Sequence, residues 1–175
     1  IDTILPPAPE VCEARALTEE AFLALIAPTP HPREQWLVTL APYREPRVRA
    51  FIKALKYRNE TAPLEPFARA AGPCVADILS TKRPREKWST ALVVPIPSSR
   101  VRLRTRGYNQ TARIVEAILP HLTEAHAREY APHVLTRDER KSQVSVLRFE
   151  REANMRGAFS CPPQARALVF NRAVL

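Results

Sequence analysis

The chain has 175 residues, 45% of them hydrophobic, and a formal net charge of +9 from 27 Lys and Arg against 18 Asp and Glu. That length can bury one core, and the basic excess favours anionic partners (nucleic acid, nucleotides, phosphorylated metabolites or an acidic protein face) without choosing among them. No apolar run approaches the roughly 20 residues a membrane helix needs, and the opening IDTILPP lacks the basic flank and apolar stretch of a signal peptide, so no membrane insertion and a cytoplasmic location are expected.

The first thirty residues carry a Pro-rich lead and then one helix, with Thr18 as its cap, Glu19 and Glu20 in the first turn, and Phe22, Leu23, Leu25 and Ile26 following. Pro28, Pro30 and Pro32 end it. Trp36 to Leu40 reads as a strand, and Pro46 opens a second helix in which Val48, Phe51, Ile52 and Leu55 fall at i, i+3, i+4 and i+7. Arg47, Arg49, Lys53 and Lys56 form its basic outer side, and Asn59 can take the left-handed conformation that ends such a helix. Pro66 and the Gly72-Pro73 pair punctuate a third helical region running to about Leu79, and Lys82 to Lys87 reads as a charged loop.

Ala91, Leu92, Val93, Val94 and Ile96 make an apolar run too short for an independent helix, which predicts a strand covered on both faces as in parallel sheets. Asn109 is placed to cap a helix to about Leu119, with Ile114, Val115, Ile118 and Leu119 on one side and Pro120 as its stop. Val134 to Thr136 reads as a short strand, Val146 to Asn154 as a short helix, and Leu168 to Leu175 as a final strand. Helices alternating with apolar strands indicate an α/β fold with a largely parallel sheet.

Cys12, Cys74 and Cys161 lie far apart and outside any C-x-x-C pair. His31, His121, His126 and His133 have no acidic or cysteine partner at ligand spacing, so no structural zinc or other metal is expected.

Chemistry is concentrated between Ser98 and Arg113, where Arg100, Arg102, Arg104, Arg106 and Arg113 occur with no acidic residue, directly after the predicted central strand. In open α/β sheets ligands bind beyond the carboxyl ends of the strands, where backbone N–H groups and a helix start favour phosphate. Ala91 to Gln110 is therefore expected to be a buried strand, an arginine-rich loop and a helix start that hold phosphate groups. The alternation of these arginines with Val101, Leu103 and Thr105 also fits a solvated edge strand. A second polar group comprises Arg137, Arg140, Lys141, Gln143, Arg148, Arg151 and Asn154, with Asp138, Glu139, Glu150 and Glu152 partly cancelling its charge.

The ordered series LKY (55–57), VVPIPSS (93–99), RTRGYNQ (104–110), LTRDERKSQ (135–143) and RFEREANMRGAF (148–159) resembles the ComF competence family, which is related to type I phosphoribosyltransferases including amidophosphoribosyltransferases. The resemblance spans about residues 43 to 160. It implies a type I phosphoribosyltransferase-like, largely parallel sheet flanked by helices over residues 35–175, with a short N-terminal segment (1–34) in place of the family's zinc module. Pro97, Ser98, Ser99 and Arg100 would receive the pyrophosphate of phosphoribosyl pyrophosphate, braced or extended by Arg106, Gly107, Asn109 and Gln110. Arg137, Lys141, Gln143, Arg151 and Asn154 match the segment corresponding to the family's mobile loop.

The family's acidic pair followed by T-T-G, which wraps the ribose 5-phosphate and helps position Mg²⁺, is absent from the sequence. LVFNRAVL looks like a late strand of the family, and a stretch near Ala165 to Leu168 is expected to be either missing or deleted. Mg²⁺ with phosphoribosyl pyrophosphate is the cofactor expectation if that loop exists. The resemblance further implies a role in DNA uptake during natural transformation. Alternatives are a non-catalytic module that binds single-stranded DNA or a helicase-like competence protein, and a nucleotide-salvage phosphoribosyltransferase. Arg47, Lys53, Lys56, Arg102 and Arg104 are the candidate contacts to a DNA backbone. No catalytic residue is singled out.

Overall fold

Helices dominate the first half of the chain. The computed structural model describes residues 7–34, 37–82, 91–122, 128–140, 147–169 and 173–174, which fold as mixed α and β structure. Two compact units form: Ile1–Lys82 with Glu116–Thr123, and Arg83–Val115 with Glu124–Leu175.

In the first unit α1 (Pro9–Arg15) is a helix the Pro-rich lead concealed; proline is well placed at a first turn, where its missing N–H costs no bond. α2 (Glu19–Leu25) begins where its cap predicts, with the Thr18 hydroxyl accepting the Ala21 N–H at 3.3 Å. Thr29–Pro30 (β1) and Val38–Thr39 (β2) pair antiparallel, so the segment read only as a helix stop is also half of a ribbon. Trp36, the expected strand start, lies outside the described residues.

α3 (Pro46–Arg58) follows its apolar spacing and ends on Asn59 at φ 55°. α4 (Leu64–Lys82) runs straight through Pro66 and Gly72-Pro73, correcting their reading as punctuation. Pro66 sits in the first turn, where no intrahelical donor is lost, and the buried Ala68, Ala70, Ala71, Ala76 and Leu79 hold the rest of the helix against the unit.

The core of this unit is built on Phe22, Phe51 and Phe67, with ring centroids 5.0–5.4 Å apart. Val11 and Ala14 of α1 pack on Ala54 of α3, and Arg15 to Glu60 (2.7 Å) and Arg58 to Glu10 (3.5 Å) flank that contact. The helices of residues 1–34 are thus packed on α3 and α4 within the same unit.

In the second unit β3 (Ala91–Val93) is the middle strand of a three-stranded parallel sheet, between β4 (Arg128–Tyr130) and β7 (Ala173–Val174). Strand geometry stops at Val93, earlier than the apolar run, and Ile96 is exposed. The chain then forms α5 (Arg100–Arg106) and α6 (Gln110–Ile118), which continues as a 3-10 turn through Pro120 to His121.

The strand expected at Val134–Thr136 is shifted: Ala131 to Leu135 turn, and Thr136–Arg137 (β5) pairs antiparallel with Phe159–Ser160 (β6). α7 (Arg151–Met155) follows a 3-10 turn at Arg148–Glu150. The expected final strand begins as helix instead, α8 (Pro163–Val169), and among its described residues β7 is strand. Ala165 to Leu168 are turns of α8, and Ala165 is buried in the core with Leu92, Val94, Ala131 and Val134. No described helix is long and apolar enough to cross a membrane.

Candidate functional site

The carboxyl end of β3 leads into a turn that the side chain of Asn109 closes. Its Nδ2 donates to the Ile96 carbonyl at 3.0 Å, while its Oδ1 accepts from the Ser98 hydroxyl at 3.1 Å and from the Thr111 N–H at 3.3 Å. The Thr111 hydroxyl donates to Asn109 Oδ1 and to Ile96 O as well. One amide therefore caps α6 and ties its start to the strand exit. Ser98 and Ser99 are buried at 9% and 5% exposure, so their position is set by packing and by this network.

The stretch expected to be an arginine-rich loop is a helix, and the edge-strand alternative is excluded with it. Ser99 is the N-cap residue in extended conformation, and Gly107 at φ 79° terminates α5, its N–H reaching the Leu103 carbonyl at 2.8 Å. Glycine is required there because a Cβ opposes the left-handed region. Arg106 reaches from the last turn of α5 to Gln110 Oε1 at 3.1 Å, spanning the glycine corner. Pro97, Ser98, Ser99, Arg100, Arg106, Gly107, Asn109 and Gln110 thus lie at the two ends of α5 and at the start of α6.

Glu139, which by sequence only offsets the basic charge of its segment, belongs to this group too. Its Oε1 accepts the Val101 N–H at 2.8 Å across 38 residues of chain, at the first turn of α5. That amide bond holds the carboxyl below its ordinary value, assisted by the Ser99 hydroxyl, the Arg100 amide and the charge of Arg137, against the opposing effect of desolvation. Beside Asp138 and three basic residues, Glu139 carries no pattern that would have announced this contact.

Arg137 stands beside it on β5, half-buried. Its guanidinium lies 5.5 Å from the Phe159 ring centroid and 3.9 Å from Met155 Sδ, and its Nε is enclosed with no hydrogen-bond partner. Burial and the like charge of Arg102 lower its pKa, partly offset by Glu139. Of the other residues matched to a mobile loop, Arg151 is exposed and Asn154 half-buried on α7, and Lys141 and Gln143 lie outside the described residues.

Charge separates sharply between the units. The second holds 17 Lys and Arg against 7 Asp and Glu, a net of +10, while the first holds 10 against 11, a net of −1. The five candidate DNA contacts are split accordingly. Arg47, Lys53 and Lys56 lie on α3, where Arg47 pairs with Glu45 at 2.9 Å and Lys56 stands over Tyr57 at 5.0 Å. Arg102 and Arg104 lie on α5.

A cavity of ~290 Å³ beside β4 and α8, lined by Tyr130, His133, Gln164 and Leu168 among others, has no Lys or Arg in its wall. Among the described residues no three His, Cys, Asp or Glu side chains come together to hold a metal ion.

No family model, curated protein or solved structure matches this chain.

Proposed function

We propose that residues 35–175 are a ComF-like module of type I phosphoribosyltransferase fold that binds phosphoribosyl pyrophosphate, or a related phosphorylated ligand, through the segment from Pro97 to Gln110. The Asn109 network carries this proposal. It links the exit of a parallel strand, the buried Ser98 and the start of a helix into one corner, an arrangement suited to presenting backbone N–H groups to phosphate.

Two further observations support it. β7 runs parallel beside β3 with Val174 opposite Leu92, so both strands open toward the same side of the sheet. The net +10 of the second unit supplies the attraction an anion needs. The described residues offer no cluster of carboxylates for Mg²⁺, so they do not fit a resident cation, and a metal would have to arrive on the phosphates of the ligand. The same resemblance makes DNA uptake in natural transformation the cellular setting we propose.

Calorimetric titration of the full chain with phosphoribosyl pyrophosphate and Mg²⁺ tests the proposal. Binding heat that is lost in Arg106→Ala is expected. No heat with the wild-type chain, or heat unchanged by that substitution, overturns it.

A further inference from the structure

Helix α5 buries none of its seven residues, yet its two sides differ. At 3.6 residues per turn, Arg102 and Arg106 share one side, and both are half-buried. Arg100 and Arg104 occupy the middle of the opposite side, with Val101 and Leu103 flanking them at 55% and 40% exposure. Ile96, just before the helix, adds a third exposed aliphatic side chain at 58%. No described acidic residue forms an ion pair with Arg100 or Arg104.

We propose that this outer face of α5 is a docking surface for another protein, and that the partner's surface sets carboxylates against Arg100 and Arg104 and aliphatic side chains against Ile96, Val101 and Leu103. Charge complementarity chooses the sign of the partner. A second copy of the chain is disfavoured, because it would bring two units of net +10 together.

The exposed apolar residues choose a protein over a nucleic acid. Strands of nucleic acid stack their bases on aromatic faces, and aliphatic side chains give them little. Tyr108, the nearest aromatic in sequence, already has its ring covered by the Arg113 guanidinium at 4.3 Å from the centroid. Burying three aliphatic side chains against a partner, by contrast, gains apolar contact as well as charge pairing. Arg100 is shared with the ligand-binding segment proposed above, whereas Leu103 and Arg104, the residues that the test changes, are not among the residues named for that ligand.

Fluorescence anisotropy on the full chain, with three labelled probes, tests the inference. One is a helical peptide with leucines along one side and glutamates elsewhere, the second replaces the leucines by glutamine, and the third is oligothymidylate. The leucine-glutamate peptide is expected to bind, and to lose about tenfold in affinity with either Leu103→Asp or Arg104→Glu, each a solvent-exposed substitution whose fold is checked by circular dichroism. Failure of that peptide to bind overturns the inference. So does equal binding of the glutamine peptide with no effect of Leu103→Asp, which reveals charge attraction alone. Preferred binding of oligothymidylate that is sensitive to Arg104→Glu and indifferent to Leu103→Asp assigns the face to nucleic acid instead.

Discussion

The carboxylate of Glu139 accepts the backbone N–H of Val101 at 2.8 Å, so an acidic side chain from beyond β5 caps the first turn of the arginine helix α5. Ser99, the N-cap residue, makes no side-chain bond to that helix, and the distant glutamate supplies the acceptor. Because this contact depresses the carboxyl's pKa in the folded chain, its stabilising effect is complete above the ordinary value of 4.5 and is lost as pH falls through the lower folded value. Hydrogen exchange at the Val101 amide should therefore accelerate relative to neighbouring amides below about pH 4.5 in the wild type. In Glu139→Gln that acid-dependent step should be absent; an identical step in both chains would show that another group controls it.

The same carboxylate places negative charge where an incoming phosphate would meet the α5 amides. Glu139→Gln is expected to tighten binding of inorganic pyrophosphate by about fivefold to tenfold, by removing that repulsion. Calorimetry on the two chains measures this, and weaker binding in the variant would mean that Glu139 organises the turn more than it opposes the ligand.

Asn109 makes four bonds with one amide, one to Ile96, one to Ser98 and two to Thr111. Asn109→Ala should destabilise the chain by about 1–2 kcal/mol, as the loss of a helix cap does, and should weaken phosphate binding as well. Asn109→Asp keeps the acceptor for the Thr111 amide and loses the donor to Ile96, so it should fall between wild type and alanine in urea denaturation. Equal stability of all three chains would remove Asn109 from its place at the corner.

Gly72 faces the 3-10 turn after α6 so closely that a Cβ there would meet His121 Cβ at 2.6 Å and its carbonyl oxygen at 3.0 Å. Backbone cannot swing aside as a long side chain can. Gly72→Ala should cost about 1–3 kcal/mol in chemical denaturation, although alanine favours helix more than glycine does. A more stable variant would show that α4 and this turn stand further apart.

The local rules reached well into this fold. Thr18, Pro46, Asn59 and Asn109 act within a few residues of themselves, through dihedral preference and nearby amides, and each sits at the helix end its residue type predicts. Gly107 and the apolar run at Ala91 are of the same kind. Prolines misled in two ways: α1 starts on Pro9, where the missing N–H costs no bond, and α4 carries Pro73 inside it because the burial of its alanines and Leu79 outweighs the local cost. The Leu168 strand was misread for the related reason that a short apolar run fits either state, and the core position of Ala165 selected helix up to Val169.

For the candidate site, the sequence by itself determined that a basic, serine-containing segment follows a buried strand, since composition and strand burial are local and periodic properties. Only tertiary structure decided that the arginines stand on a helix with two unlike sides and that Glu139 caps it. The same holds for the unpaired Arg137 Nε and for the unit that carries the excess charge. These depend on contacts across tens of residues, such as the one from Val101 to Glu139, whose energy no periodicity records because it exists only once the chain has folded.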